Sequence, residues 1–168
     1  MSLQDCTHTT QFPAVRYALR LLLLLITSLI TFNVNADSAN PAHPPSVAAA
    51  LAVLDDFMAT FNDEDIVGWS DTLHYPHVRF ASETVTVYPG AAEFTDRPVF
   101  EGLRSTGWRR SAWRSRTPTL ISDSKVHFET VFERYNAKGE AIGRYHSLYI
   151  VTKIDGRWGI QARSSLAP

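Results

Sequence analysis

Two alternating runs near the C-terminus, "RYHSLYIVTKI" and "RWGIQARSS", are separated by Asp155-Gly156. A two-residue loop of this composition is the strongest short hairpin signal, because its turn matches the twist of paired strands. It sets Lys153 opposite Trp158, Val151 opposite Ile160 and Tyr149 opposite Ala162. Lys138-Gly139 centres a second turn, which sets Glu133 opposite Arg144, Phe132 opposite Tyr145 and Phe128 opposite Tyr149. The two registers are independent and agree. One face then carries Val126, Phe128, Thr130, Phe132, Tyr145, Ser147, Tyr149, Val151, Trp158, Ile160, Ala162 and Ser164. It is mostly apolar, with a few hydroxyls, and is the face that helices should cover. The other carries His127, Glu129, Val131, Glu133, Arg144, His146, Leu148, Ile150, Gln161 and Arg163. That face is too apolar for plain solvent and too charged for core, which suits a subunit interface.

Upstream of this meander the pattern is helical. Leu51, Leu54, Met58 and Phe61 recur at three- and four-residue steps, predicting a helix over 47–61 with Ser46 as its cap. Asp63 caps a second helix through "DEDIVGWSDTL", whose apolar stripe is Ile66, Trp69 and Leu73. Pro76 forbids its continuation. "VRFASETVTVY" reads as a short hairpin, and "EFTDRPVFEGLRSTGW" as a brief third helix ending near Gly107. Strands follow over about 113–121, 126–135, 144–154 and 158–165.

The N-terminus reads as a targeting segment. Arg16 and Arg20 precede "LLLLLITSLITFNV", 14 residues without a charge, and then "VNA". A basic region, a short apolar run and a small-x-small site form a secretory signal peptide over 1–36, cleaved after Ala36. The run is short for a bilayer span, so a membrane role arises only through this segment if it stays uncleaved. Residues 37–46 form a Pro-rich leader, and the domain occupies 47–168. Export to the periplasm or outside the cell is the expected location. Cys6, the one cysteine, lies ahead of the apolar run, so the exported domain depends on its core without disulfides, thiol catalysis or thiolate metal sites. A net charge of −1 offers no basic face for nucleic acid. "WRRSAWRSR" is basic with interleaved aromatics, but at strand spacing its arginines alternate between faces.

Helices first, then a short hairpin, then a long antiparallel meander is a recognisable plan. "LDDFMATFNDEDIVGWSDTLHYPHVRF" resembles the opening, and "RYHSLYIVTKIDGRWGIQARSS" the closing hairpin, of the nuclear transport factor 2-like superfamily in its SnoaL-like and ketosteroid-isomerase-like branch. The resemblance covers about 47–166. It implies an α+β, cone-shaped fold with N-terminal helices packed on a strongly curved antiparallel sheet, an apolar pocket inside, and pairing of two copies through the sheet. The isomerase branch places a base Asp on the first strand and an oxyanion-hole Tyr on the first helix. Here Ala81 and Ser82 stand about where that Asp falls, and the first helix offers Phe57, Met58 and Phe61. The departure argues against a steroid-isomerase mechanism, and the superfold itself hosts many functions.

Candidate site residues come from the inner face and from "LHYPHVRF". There Leu73 closes a helix, His74 to Pro76 turn the corner, and Val78 and Phe80 enter the core, with His77 and Arg79 pointing the other way. Metal is disfavoured because His127 and His146 lie on the outer face, leaving two ligands where three are needed. No cofactor is called for. Two readings follow. One is an exported domain that binds a small apolar or amphipathic molecule, with His74, Trp113, Thr130, Tyr145 and Ser147 lining the pocket. The other is an isomerase, cyclase or epoxide hydrolase that uses His77 and Tyr149 as acid–base and hydrogen-bond partners. In either case a homodimer through the outer sheet face is expected.

Overall fold

A computed structural model describes residues 43–81 and 83–167. The expected signal peptide, its cleavage site and most of the leader lie outside the described residues. The first helix, α1, spans Pro45–Asn62. It starts two residues before the hydrophobic period predicts, because Pro45 occupies its first turn, where a missing N–H costs nothing. Ser46 is therefore inside the helix, and no side chain caps it. Val47, Ala50, Leu54, Phe57 and Met58 form the buried stripe. The cap of α2, Ile66–Asp71, is Asp65 rather than Asp63, its carboxylate accepting from the Gly68 N–H at 2.9 Å. Asp63 instead ends α1.

Then come β1 (Leu73–Phe80), β2 (Val85–Tyr88), α3 (Ala91–Thr95) and α4 (Val99–Ser105). The single helix expected near Gly107 is thus two short ones, divided before Pro98. The meander is β3 (Arg110–Ile121), β4 (Lys125–Tyr135), β5 (Ala141–Ile154) and β6 (Arg157–Ser165). All six strands form one sheet in the order β2-β1-β6-β5-β4-β3. It is antiparallel except where β1 runs parallel to β6. The helices cover one face, and Leu54, Phe57, Trp69, Phe128, Tyr149, Val151 and Ile160 lie in the resulting core.

The expected pairs between β4 and β5 are all present, as are Lys153–Trp158 and Val151–Ile160. Beyond them the register shifts. Val151 pairs with Ile160 but Ile150 pairs with Ala162, so Gln161 is an extra residue. Its amide Nε2 donates to the Pro76 carbonyl at 2.5 Å. A bulge of this kind reverses the parity of everything after it. Tyr149 therefore pairs with Arg163, not Ala162, and Ser147 with Ser165. Arg163 and Ser165 face inward, and Ala162 and Ser164 outward, the reverse of the period-two expectation.

β1 corrects the sequence reading in a second way. His74 to Pro76 are part of the strand, with a cis Tyr75–Pro76 bond, rather than a corner before it. Val78 and Phe80 lie on the outer face, where Phe80 is 45% exposed. His77 and Arg79 face inward. One register row therefore crosses the inner face as Thr86, Arg79, Arg163, Tyr149, Phe128 and Pro118, one residue from each strand. On the outer face Glu133 bonds Arg144 at 2.6 Å and lies 3.6 Å from Arg114, the charge ladder that strand pairing suggests.

Candidate functional site

Between the inner sheet face, α1, α2 and α4 lies a cavity of about 320 Å³. Its apolar wall is largely aromatic: Phe57 and Phe61 from α1, Trp69 from α2, Phe132 from β4 and Tyr149 from β5. Its polar wall carries Thr106, Ser111, Ser165 and four arginines on four separate elements. Arg79 comes from β1, Arg97 from the link between α3 and α4, Arg134 from β4 and Arg163 from β6. No Asp, Glu, His or Lys stands among the described residues of the wall.

Three of the four arginines lie against aromatic rings. The Arg97 guanidinium carbon is 4.0 Å from the Phe94 ring centre and 4.6 Å from that of Tyr88. Its Nε donates to the Phe94 carbonyl at 2.7 Å, and Nη1 donates to the Tyr88 hydroxyl at 3.1 Å. Arg134 lies 4.9 Å over Tyr145. Arg163 lies 5.6 Å from the Phe57 ring centre and 5.8 Å from that of Trp69. Stacking engages the face of a guanidinium and leaves its N–H edge for other partners. Burial, then the charge of neighbouring groups, lowers the pKa of Arg79, Arg97 and Arg134. Arg163 is among the repelling neighbours of all three. Arginine starts so high that these three stay charged.

Of the residues expected at the site, Tyr149 lies in the cavity wall. His77 does not. It is 1% exposed, and its Nδ1 is 3.1 Å from the Ile160 carbonyl. A carbonyl oxygen can only accept, so Nδ1 carries the proton. Burial, then the nearby Arg163 charge, pushes its pKa down to about 4. A base that weak is poorly matched to proton transfer at neutral pH. The His77–Tyr149 pair is therefore not brought together around one cavity.

His74 is likewise engaged elsewhere. Its Nδ1 accepts from Arg157 Nη2 at 2.9 Å, so Nε2 donates to the Thr152 and Arg157 carbonyls at 3.1 and 3.2 Å. Burial and then Arg157 lower its pKa. An ideal Cβ at Gly159 would lie 2.8 Å from this imidazole, so only glycine admits the ring there. The other expected wall residues serve local bonds. Trp113 Nε1 donates to the Leu54 carbonyl at 3.2 Å, Thr130 Oγ1 to the Ser147 carbonyl at 3.2 Å, and Ser147 Oγ to Ser165 Oγ at 3.0 Å. Tyr145 lies beneath Arg134, outside the wall. Sequence reasoning missed the arginines. One signal was available: Arg134 follows Phe132 at strand spacing and so shares its inward face.

The family model for NTF2-like protein (DUF6841) matches residues 48–167. The chain belongs to this family. Solved structures agree on the fold of this NTF2-like protein. A Nostoc punctiforme protein of unknown function with a cystatin-like fold superposes with a TM-score of 0.59 at 15% identity, over 73% of this chain and 90% of that one. A ketosteroid isomerase-like protein from Erwinia carotovora atroseptica gives 0.56 at 20% identity, over 74% and 98%. An NTF-2 like protein of unknown function from Shewanella oneidensis gives 0.58 at 12% identity, over 72% and 98%. At these identities the likeness concerns fold alone. No curated protein matches the NTF2-like sequence significantly.

Proposed function

We propose that this NTF2-like domain binds a small molecule inside its cavity and performs no general acid–base chemistry there. The observation that carries this reading is a cavity of about 320 Å³ with aromatic walls. Its size falls at the lower end of the range for small-molecule sites, about 300–1,000 Å³. The described wall lacks a group that titrates near neutral pH, so a bound molecule meets shape and fixed charge rather than a proton shuttle. Mass spectrometry under non-denaturing conditions is expected to show the purified protein carrying a small molecule that denaturation releases. Met58→Trp, which places an indole in the cavity, should lose it. Retention of the same molecule by Met58→Trp would place binding elsewhere and defeat the reading.

We further propose that two copies pair through the outer sheet face. Val87, Val78, Ala162 and Ile150 form an apolar register row across four strands, with Leu120 at the far end beyond His127. Val85, Phe80 and Leu148 lie one row away, and Val87 and Leu148 are 56% and 39% exposed. A lone domain gains nothing from such a stripe. Light scattering should report a dimer, and Leu148→Glu a folded monomer whose unfolding midpoint no longer rises with protein concentration. A wild-type monomer at micromolar concentration would remove this idea.

A further inference from the structure

Ion pairing does not account for the four arginines of the cavity. Arg79 and Arg163 are direct cross-strand neighbours on β1 and β6. Like charges placed that way destabilise a sheet. Arg97 and Arg134 add two more positive charges to the same wall. Burying unpaired charge is costly. Elsewhere in the domain Arg104 pairs with Glu64, Arg116 with Asp55, and Arg114 and Arg144 with Glu133, while the unpaired Arg109 and Arg110 are exposed. The cavity arginines form no ion pair among the described residues. Arg79 Nε, Arg97 Nη2 and Arg134 Nε are buried with no acceptor among the described residues, and so is Trp69 Nε1 in the same wall. Rings lie against the guanidinium groups of Arg97, Arg134 and Arg163, and the unpaired donors together suit an oxyanion, which a fork of N–H groups fits.

We infer that the ligand is a small organic anion, with a carboxylate or phosphate head held among Arg79, Arg97, Arg134 and Arg163 and an apolar body against Phe57, Phe61 and Trp69. This rests on the proposed binding function and assigns its chemical class. Destabilising features concentrated at one cavity are expected where function, not stability, selects them.

The test compares five probes on the full chain at fixed ionic strength: benzoate, phenyl phosphate, inorganic phosphate, and the neutral isosteres benzamide and benzyl alcohol. Thermal unfolding and Trp fluorescence are read together for wild type and for the Arg79→Met/Arg163→Met variant. In wild type at least one of the two anions should bind at least about 10-fold tighter than its neutral isostere, since hydrogen bonds to charged groups are the strong ones. The stronger anion identifies the head group. In the variant that preference should collapse, while the unfolding midpoint in chloride stays equal or rises. Should the double variant fail to fold, Arg134→Met takes its place and should lose the preference in part. Equal binding of anions and neutral isosteres would overturn the inference and leave the binding reading intact. An undiminished preference in the variants would also overturn it, because the anion then sits elsewhere. Inorganic phosphate binding as tightly as phenyl phosphate would overturn the organic class. No response to any probe would overturn both the inference and the binding reading.

Discussion

Lowering the pH from 6.5 to 4 is expected to remove about 3 kcal/mol of folding stability through one side chain, His77. In the folded protein burial and the Arg163 charge hold its pKa down to about 4, from the ordinary value of 6.5. The unfolded chain therefore takes up the proton first. Stability from neutral His77 is fully present above pH 6.5 and is lost as pH falls through 6.5 towards 4. His74 and His127 are also lowered, so they act in the same direction. The informative quantity is thus the difference between wild type and His77→Gln, which keeps an N–H for the Ile160 carbonyl but does not titrate. Urea unfolding at pH 7 and pH 4.5 should show a clearly smaller acid loss in the variant. Parallel losses would mean that His77 is not held neutral. Protonation would also add positive charge to an inner face that already carries the arginines, which is why the site itself opposes it.

Trp69→Ala should cost about 3–5 kcal/mol, the range for truncating a buried aromatic. Trp69 is 1% exposed. Its ring lies 5.4 Å from Phe57 and 4.9 Å from Phe61, both on α1. It lies 4.9 Å from Phe94 on α3 and 5.9 Å from Phe100 on α4. One indole therefore joins the four helices of the described residues, and edge-to-face contacts of this kind add to simple burial. Denaturant unfolding measures the loss, with Trp69→Phe as the milder comparison. A cost below about 1 kcal/mol would show that the cluster repacks around the gap. The same truncation removes a ring beneath Arg97 and Arg163, so anion preference should fall along with stability.

The plan of helices followed by an antiparallel meander was legible from the sequence because its signals are local. Asp155-Gly156 and the Lys138-Gly139 turn each set a register through their own backbone geometry, and the apolar period of α1 needs only its own residues. The second N-cap was misplaced because Asp63 and Asp65 are the same side chain and only the chain path selects between them, and the first because Pro45 in the opening turn draws Ser46 into the helix. The candidate site was much less legible. Hydrophobicity sends Val78 and Phe80 to the core and His77 and Arg79 away from it, yet β1 does the opposite. Its inner face meets an arginine-lined cavity, and its outer face continues an apolar row. Alternation along a strand shows which residues share a face, but not which face meets the helices. Arg163 depended on a still more distant event. The sequence by itself determined that β6 alternates and where it begins. Only the tertiary structure decided that Gln161 bulges out towards the Pro76 carbonyl and turns Arg163 inward beside Arg79. A bulge adds one residue to one strand of a pair, so it is a property of the pairing and has no signature in either strand alone.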